Sequence, residues 1–237
     1  MTVVKVIQRT LDFPEHTARQ IITLLEYKFD RYNNPFERKW TMRKTGLDSD
    51  LYYHDLIYDR FMTTTACWWI SNLLNVPIER AEWRQYGGVF VYQPGDYLQA
   101  HVDAGIHPVL KQVKVATLVI YLTPAQLEFW HGDPAHYSKP VVYHSTGVYT
   151  LEAGDAVLFT NDQFSWHSVP IIEGEPRVCI TCSYLAPEGF TRHDFSNNRT
   201  RAYFAHHEDE PYDSIIENLR ELRASEEGHK SVYKTNT

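Results

Sequence analysis

The spacing of apolar residues divides the chain into a helical N-terminal region and a strand-rich middle. After a short predicted strand at residues 3–8, apolar residues recur at helical spacing from Pro14 to about residue 30, and again from about Tyr58 to Leu74. The apolar stripes consist of Ile21, Leu24 and Leu25 in the first helix and Trp68, Trp69, Leu73 and Leu74 in the second. We expect both helices to cover a sheet with these faces.

From residue 83 onward, short apolar or alternating runs replace the helical spacing, and turns containing glycine or proline separate them. The predicted strands are residues 86–93, 97–103, 113–122, 126–131, 140–143, 147–151, 155–160, 167–172 and 177–185. Evenly spaced short strands of this kind favour a double-sheet jelly roll. The run 113–122 is apolar on both faces, so it should be a central strand. The fold class predicted is therefore mostly β with flanking helices.

The remaining segments show weaker patterns. Residues 36–55 have no clear period, and residues 186–211 are irregular. A closing amphipathic helix is indicated by Ile215, Ile216, Leu219 and Leu222. With 237 residues, one domain is expected. It would consist of an N-terminal support (1–82), a jelly-roll core (83–187) and a C-terminal extension with a helix (188–237).

Composition narrows the class of protein. The net charge is −7, whereas nucleic-acid binding generally needs a basic surface, so a nucleic-acid partner is disfavoured. The N-terminus lacks the apolar core of a signal peptide, and no stretch is long and apolar enough to span a bilayer. These features predict a cytoplasmic protein with no membrane association.

The chain has 3 cysteines. Cys179 and Cys182 are spaced like a zinc or redox pair, but they lie in a predicted strand. Residues three apart on a strand point to opposite faces, so we expect buried, reduced thiols instead.

A set of four side chains carries the chemistry. His101 and Asp103 are two apart on a predicted strand, so both project to one face, which Tyr97 and Gln99 should share. His167, on another strand, can complete the two-histidine, one-carboxylate set of non-haem iron(II) oxygenases. Arg177 follows it by ten positions and opens an apolar strand, where its planar guanidinium suits a carboxylate.

Each signal has a simpler alternative. His167 alone could be a hydrogen-bonded core histidine, and Arg177 could form an internal salt bridge. A second His-x-Asp tripeptide, His131-Gly132-Asp133, has glycine and proline neighbours typical of a strand end. A polar cluster at residues 206–209 is better explained as solvated surface.

The four residues together resemble the Fe(II)/2-oxoglutarate-dependent oxygenases, in particular the prolyl 4-hydroxylase-like branch. The resemblance covers residues 83–187. The segment 92–97 looks like the one before the family's His-x-Asp, and the run 116–122 is similar to its central strand. Residues 151–159 are similar to the strand before its second histidine. Residues 124–130 depart from the family pattern and are followed by an insertion-like stretch, which leaves the substrate open.

The resemblance implies a double-stranded β-helix and a set of site residues. Iron(II) would be bound by His101, Asp103 and His167, and 2-oxoglutarate by Arg177, Tyr121 and Tyr92, with ascorbate as an accessory reductant. The implied reaction is hydroxylation of an unactivated C–H bond, with release of succinate and CO2. The aspartate at position 103 favours hydroxylation. A prolyl residue, and more broadly a peptide, protein or amino acid, is the implied substrate.

Other functions remain open from the residues alone. A jelly-roll module without catalytic activity could bind sugar or peptide on its tyrosines and tryptophans. A cupin-type metal enzyme would use the histidines without 2-oxoglutarate. A nucleic-acid demethylase fits the acidic charge balance poorly.

Overall fold

The computed structural model describes residues 4–8, 10, 14–33, 37–42, 64–80, 87–103, 112–132, 142–162 and 165–190. The predicted C-terminal helix and the start of the predicted second helix lie outside these residues. None of the helices in these ranges is long and apolar enough to cross a bilayer.

Strands dominate the described residues. The helices are α1 (Pro14–Thr23), α2 (Leu25–Lys28) and α3 (Ala66–Leu74). The strands are β1 (Val4–Ile7), β2 (Phe29–Asn33), β3 (Glu37–Met42), β4 (Glu79–Arg80), β5 (Gly87–Tyr92), β6 (Tyr97–His101), β7 (Lys114–Tyr121), β8 (Ala125–Gly132), β9 (Val142–Leu151), β10 (Ala156–Thr160), β11 (Trp166–Val169) and β12 (Arg177–Leu185). Between residues 83 and 187, the predicted strands are confirmed with small shifts at their ends. The exceptions are residues 140–143 and 147–151, which belong to the single strand β9.

The strands form two antiparallel layers. One has the order β1-β10-β7-β12-β5 and the other has the order β6-β11-β8-β9. From β5 to β12 the chain passes between the layers at each step except β8 to β9, which are neighbours in one layer. This is the connectivity of a double-stranded β-helix. The predicted jelly-roll fold is confirmed, and β7 is central, as expected from its apolar faces.

The layer that contains β7 and β12 buries both of its faces. Ile120 and Ile180 belong to an apolar cluster with Ile21 of α1 and Ile70 of α3. The opposite face contributes to a second cluster inside the jelly roll, which we call the inner cluster. Its buried members are Tyr92, Val119, Tyr121, Leu127, Phe129, Leu151, Val157, Phe159, Val169 and Cys179. The helices thus cover one face, as predicted, and the other face encloses the site.

α3 packs through Ala66, Ile70 and Leu74. The prediction that Trp68 and Leu73 also pack on the sheet is wrong, because both side chains are exposed.

The two cysteines of β12 lie on opposite faces of the strand. Cys182 belongs to the cluster with the helices, and Cys179 belongs to the inner cluster. Neither forms a disulfide. The prediction of separate thiols rather than a zinc or redox pair is confirmed.

The hairpin β2–β3 is the main departure from the predicted elements. The chain leaves the helical conformation at Phe29, which is extended (φ −118°, ψ 150°) and pairs with Met42. The first helix therefore ends earlier than the predicted residue 30, because pairing with β3 overrides the local preference. β3 itself lies in the segment for which no period was found.

β3 joins the edges of the two layers. It pairs with β5 through Trp40 and Val91, and with β6 through Glu37 and Leu98. Because β5 and β6 are edge strands of different layers, β3 closes the seam between them. We call β3 the seam strand.

Polar contacts fix the hairpin to the turn between β5 and β6. Arg31 donates two hydrogen bonds, of 2.6 and 2.5 Å, to the carboxylate of Asp96, which is 1% exposed. The indole nitrogen of Trp40 donates to the side-chain oxygen of Gln93 at 3.0 Å. Gly95 has φ 85°, a conformation that a residue with a Cβ rarely adopts, so the predicted turn at this position is confirmed.

Candidate metal and co-substrate site

The structure brings together the three predicted ligands His101, Asp103 and His167. His101 ends β6 and pairs directly with His167 of β11, and Asp103 follows two residues later. One ligand atom of each side chain lies within 4.8 Å of the others. Both histidines are buried, whereas the Asp103 side chain is 24% exposed. Two imidazoles and a carboxylate therefore converge on one point at the inner face of the jelly roll.

A β-bulge in β6 changes which neighbours share the histidine face. His101 pairs with His167 but Leu98 pairs with Val169, so β6 contains one residue more than β11 over this stretch. Leu98 consequently packs against the inner cluster. Tyr97 instead lies under the guanidinium of Arg38. The prediction that Tyr97 shares the face of His101 is wrong, because strict alternation does not hold across a bulge.

Backbone carbonyls orient both imidazole rings. The Nδ1 atom of His101 lies 2.9 Å from the carbonyl oxygen of Gln99, and Nδ1 of His167 lies 2.9 Å from that of Ser165. A carbonyl oxygen only accepts, so each Nδ1 carries the proton and each Nε2 keeps its lone pair. This is how metal-binding histidines are usually oriented.

Residues outside the predicted set hold the carboxylate of Asp103. The Thr117 hydroxyl donates to Oδ2 at 3.0 Å, and the Lys114 ammonium lies 3.4 Å from the same oxygen. The amide of Asn161 donates to the Thr117 hydroxyl at 3.0 Å. Oδ1 lies on the other side, 3.4 Å from Nε2 of His101. The sequence signal was available in principle, since Lys114 and Thr117 are polar positions in an otherwise apolar strand.

The protonation states of this cluster suit a cation. Although burial raises the pKa of Asp103, the ammonium of Lys114, with smaller contributions from His101 and His167, holds it well below its usual value. Burial and the neighbouring His101 lower the pKa of His167 to about 3. At neutral pH, Asp103 is therefore charged and His167 is neutral, which are the forms that bind a metal.

Arg177, Tyr121 and Tyr92 form a second cluster. Arg177 is 3% exposed, and its Nη2 donates to the Tyr121 hydroxyl at 3.3 Å. The guanidinium carbon lies 4.9 Å from the ring centre of Tyr92 and 5.1 Å from that of Tyr121. Within the described residues, Nε and Nη1 of Arg177 have no hydrogen-bond partner. The alternative of an internal salt bridge therefore finds no support in this part of the chain.

A buried guanidinium with two unsatisfied nitrogens is costly unless an anion completes it. Burial raises the pKa of Tyr121 to about 12 against the opposing effect of Arg177. Burial likewise raises the pKa of Tyr92 well above its usual value. Both phenols are thus neutral hydrogen-bonding groups beside a cation, and the cluster suits a carboxylate.

Both clusters lie along the same strand. Thr117, which contacts Asp103, and Tyr121, which contacts Arg177, are four positions apart on β7 and so share its inner face. Their Cα atoms are separated by roughly 13 Å of strand, and the side chains at both ends shorten that gap.

The other candidate clusters are not tested by the structure. Asp133 of the second His-x-Asp tripeptide lies outside the described residues, as does the cluster at residues 206–209. Among the residues that are described, the set His101, Asp103 and His167 is the one group found that could hold a metal ion.

Several solved structures are similar to this chain, and the first of them supports the fold. The chain is similar to SnoN, a non-haem α-ketoglutarate-dependent epimerase of nogalamycin biosynthesis, with a TM-score of 0.50 and 14% identity over 85% of this chain and 90% of that one. It is also similar to a prolyl hydroxylase of Trichoplax adhaerens in complex with a peptide fragment of hypoxia-inducible factor (TM-score 0.49, 17% identity, 77% and 83% covered). A third similar structure is HygX of Streptomyces hygroscopicus with nickel and 2-oxoglutarate bound (TM-score 0.48, 13% identity, 87% and 93% covered).

Comparison with family models gives the assignment. No curated protein sequence matches the chain. Residues 87–184 match the model of the 2OG-Fe(II) oxygenase superfamily. That range runs from β5 to β12 and contains both clusters described above. Iron(II) and 2-oxoglutarate are the metal and co-substrate of this superfamily, and the two clusters fit them by charge and donor type. The 2OG-Fe(II) oxygenase superfamily is therefore the family that residues 87–184 match.

Proposed function

We propose that this protein is an iron(II)- and 2-oxoglutarate-dependent hydroxylase. His101, Asp103 and His167 would bind the iron, and Arg177, Tyr121 and Tyr92 would bind the distal carboxylate of 2-oxoglutarate. The observation that carries the proposal is the buried guanidinium of Arg177, which has two unsatisfied nitrogens in the same barrel as the three metal-binding side chains. A binding module or a cupin-type enzyme without 2-oxoglutarate has no use for that cation.

Bound iron and 2-oxoglutarate supply the oxidising chemistry: one atom of dioxygen enters the substrate C–H bond, and the other enters succinate as CO2 is released. The protein supplies orientation. The carbonyl oxygens of Gln99 and Ser165 fix the imidazole rings, and Thr117 and Lys114 hold one oxygen of Asp103.

The inner cluster also limits the access of water. The ring of His167 packs against Phe159 at 4.6 Å and against Phe129 at 5.8 Å between ring centres. Excluding water strengthens the attraction between Arg177 and a carboxylate and protects a reactive centre from side reactions.

The substrate is the open part of the proposal. The sequence resemblance to the prolyl 4-hydroxylase-like branch makes a prolyl residue of a peptide one candidate, beside proteins and free amino acids. The proposed iron and 2-oxoglutarate site is the same for each of these substrates.

The decisive experiment combines binding and turnover. Under anaerobic conditions, iron(II) with 2-oxoglutarate should produce a weak visible charge-transfer band in the wild-type protein. With dioxygen admitted, succinate should form, and mass spectrometry of a peptide and amino-acid library should reveal the gain of one oxygen atom. A protein that shows neither the band nor succinate is not a 2-oxoglutarate-dependent enzyme, and the binding-module alternative would then stand.

A further inference from the structure

An ion pair lies in the wall of the barrel outside the two clusters. Nζ of Lys39 is 2.6 Å from Oε2 of Glu37, and each side chain is 12% exposed. Both residues belong to the seam strand β3, two positions apart, so they share one face of it. Neither residue belongs to the proposed metal site or the proposed co-substrate site.

That face points into the jelly roll. Glu37 is paired with Leu98, and Thr41 is paired with Phe90. Both Leu98 and Phe90 pack against the inner cluster. The ammonium of Lys39 lies 4.8 Å from the ring centre of Phe90.

The pair also acts electrostatically on the co-substrate cluster. The pKa of Tyr92 is raised mainly by burial, but Glu37 contributes to the increase. The pKa of Cys179 is raised by burial as well, and Lys39 opposes that increase. Tyr92 and Cys179 are members of the inner cluster, so the ion pair and the proposed co-substrate pocket share one interior.

Stability does not explain the pair. Removing two charges from water costs about as much as their attraction returns, so a buried ion pair can often be replaced by apolar residues without loss. The neighbours Leu98 and Phe90 on this face are apolar. The opposite face of β3 provides a contrast, since Arg38 has an exposed hydrogen bond to Asn33.

We propose that Glu37 and Lys39 bind the α-ammonium and α-carboxylate groups of a free amino acid, and that this zwitterion is the substrate class of the enzyme. This inference rests on the proposed function and deepens it. Adjacent opposite charges match a ligand that carries an anion and a cation on one carbon atom. Lys39 would donate to the carboxylate, and Glu37 would accept from the ammonium. A residue inside a peptide offers only neutral amides at these positions and would leave both charges without new partners.

The seam strand holds the pair in place before any ligand arrives. The contacts of Arg31 with Asp96 and of Trp40 with Gln93 fix the hairpin from its outer side. A site on a fixed strand loses little conformational entropy when a small ligand binds.

The test uses variants chosen to fold. The double variant Glu37→Gln/Lys39→Met removes both charges together and leaves neither one buried alone, so it should be as stable as the wild type. The matched control is Arg38→Gln, which removes a charge from the opposite face of the same strand. The probes are a panel of common L-amino acids, each beside its N-acetyl and its carboxamide derivative. Binding is measured by saturation-transfer NMR, and turnover is measured as succinate formed above the level without an amino acid.

We expect at least one free amino acid to bind and to stimulate succinate formation, and either blocked derivative to bind at least about tenfold more weakly, since a charged hydrogen bond is lost. The double variant should lose binding by at least as much but keep the affinity of the wild type for 2-oxoglutarate. Arg38→Gln should behave as the wild type. Equal binding of free and blocked forms, binding of peptides alone, or an unchanged double variant would overturn the inference. Failure of the proposed function differs from all of these, because the wild type would then not bind 2-oxoglutarate or form succinate at all.

Discussion

The two polar clusters inside the barrel differ in how far the protein itself completes them. At the metal end, carbonyl oxygens engage Nδ1 of both histidines, and Thr117 and Lys114 engage one oxygen of Asp103. At the other end, two nitrogens of Arg177 have no partner among the described residues. The first cluster is pre-oriented, so that only the atoms facing a common point remain available. In the proposed function, a ligand completes the second cluster, and its binding would offset the cost of burying the guanidinium.

Removing a ligand from the pre-oriented end should have the largest effect. Asp103→Ala deletes the single carboxylate of the set, so we expect metal-dependent succinate formation to fall to the background of the assay. Isothermal titration with a divalent metal should show that binding is lost. The matched control is His131→Ala, which alters the other His-x-Asp tripeptide and should retain wild-type turnover. Near-normal turnover in Asp103→Ala would refute the site.

Substitution of Arg177 in the second cluster should change co-substrate affinity and protein stability in opposite directions. Arg177→Met removes the carboxylate partner and should weaken 2-oxoglutarate binding by about 100-fold, as for loss of one member of a buried charge pair. The same change removes an unsatisfied buried cation, so the free energy of unfolding without co-substrate should be unchanged or higher. Calorimetric titration and thermal unfolding with and without 2-oxoglutarate measure both effects. A variant that is unstable yet still binds 2-oxoglutarate tightly would show that Arg177 has a structural role instead.

A milder substitution tests how the metal cluster is oriented. Thr117→Val keeps the shape of the side chain but removes the donor to Asp103 and the acceptor of the Asn161 amide. Loss of a residue that orients a ligand typically reduces metal affinity by about 10- to 100-fold. Competition with a metal-sensitive dye measures this affinity, and 2-oxoglutarate binding at the other cluster should stay close to the wild-type value. Unchanged metal affinity would mean that Asp103 does not need Thr117.

Lowering the pH should gradually reduce the stability of the protein through His167 in the metal cluster. In the folded, metal-free protein the pKa of His167 is about 3, whereas an unfolded histidine titrates near 6.5. Between these values, the unfolded chain binds the extra proton, so the free energy of unfolding should fall as the pH drops from about 6.5 toward 3. Urea unfolding across this range measures the slope, and His167→Gln should reduce it. An equal slope in both proteins would contradict the assignment.

The sequence predicted the parts of the molecule that depend on local pattern. The strands between residues 87 and 185 could be predicted because hydrophobic alternation and turn residues are local signals. Gly95 marks one such turn. The three proposed metal ligands were found by spacing alone, and the structure places them together. Arg177 was found from its position at the start of an apolar strand, whereas Tyr121 and Tyr92 came from the family resemblance.

The rest of the fold depends on contacts that are distant in the sequence. β3 has no period of its own because its two ends pair with strands of different layers, and its conformation is set by Val91 and Leu98. The bulge that turns Leu98 inward is a property of the pairing of β6 with β11. Lys114 and Thr117 are recognisable in the sequence as polar residues of an apolar strand. Their contact with Asp103 could not be predicted, because it depends on how the strands are arranged.

The closing of the seam by β3 has a consequence for the order of folding. Arg31 and Asp96 are 65 residues apart in sequence, so their contact requires a long loop of chain to be closed first. During synthesis the hairpin leaves the ribosome well before the turn to which it is attached. The wall that carries Glu37 and Lys39 is therefore assembled only after the later turn has emerged, and a nascent chain stalled before Asp96 would expose that charged face to the solvent.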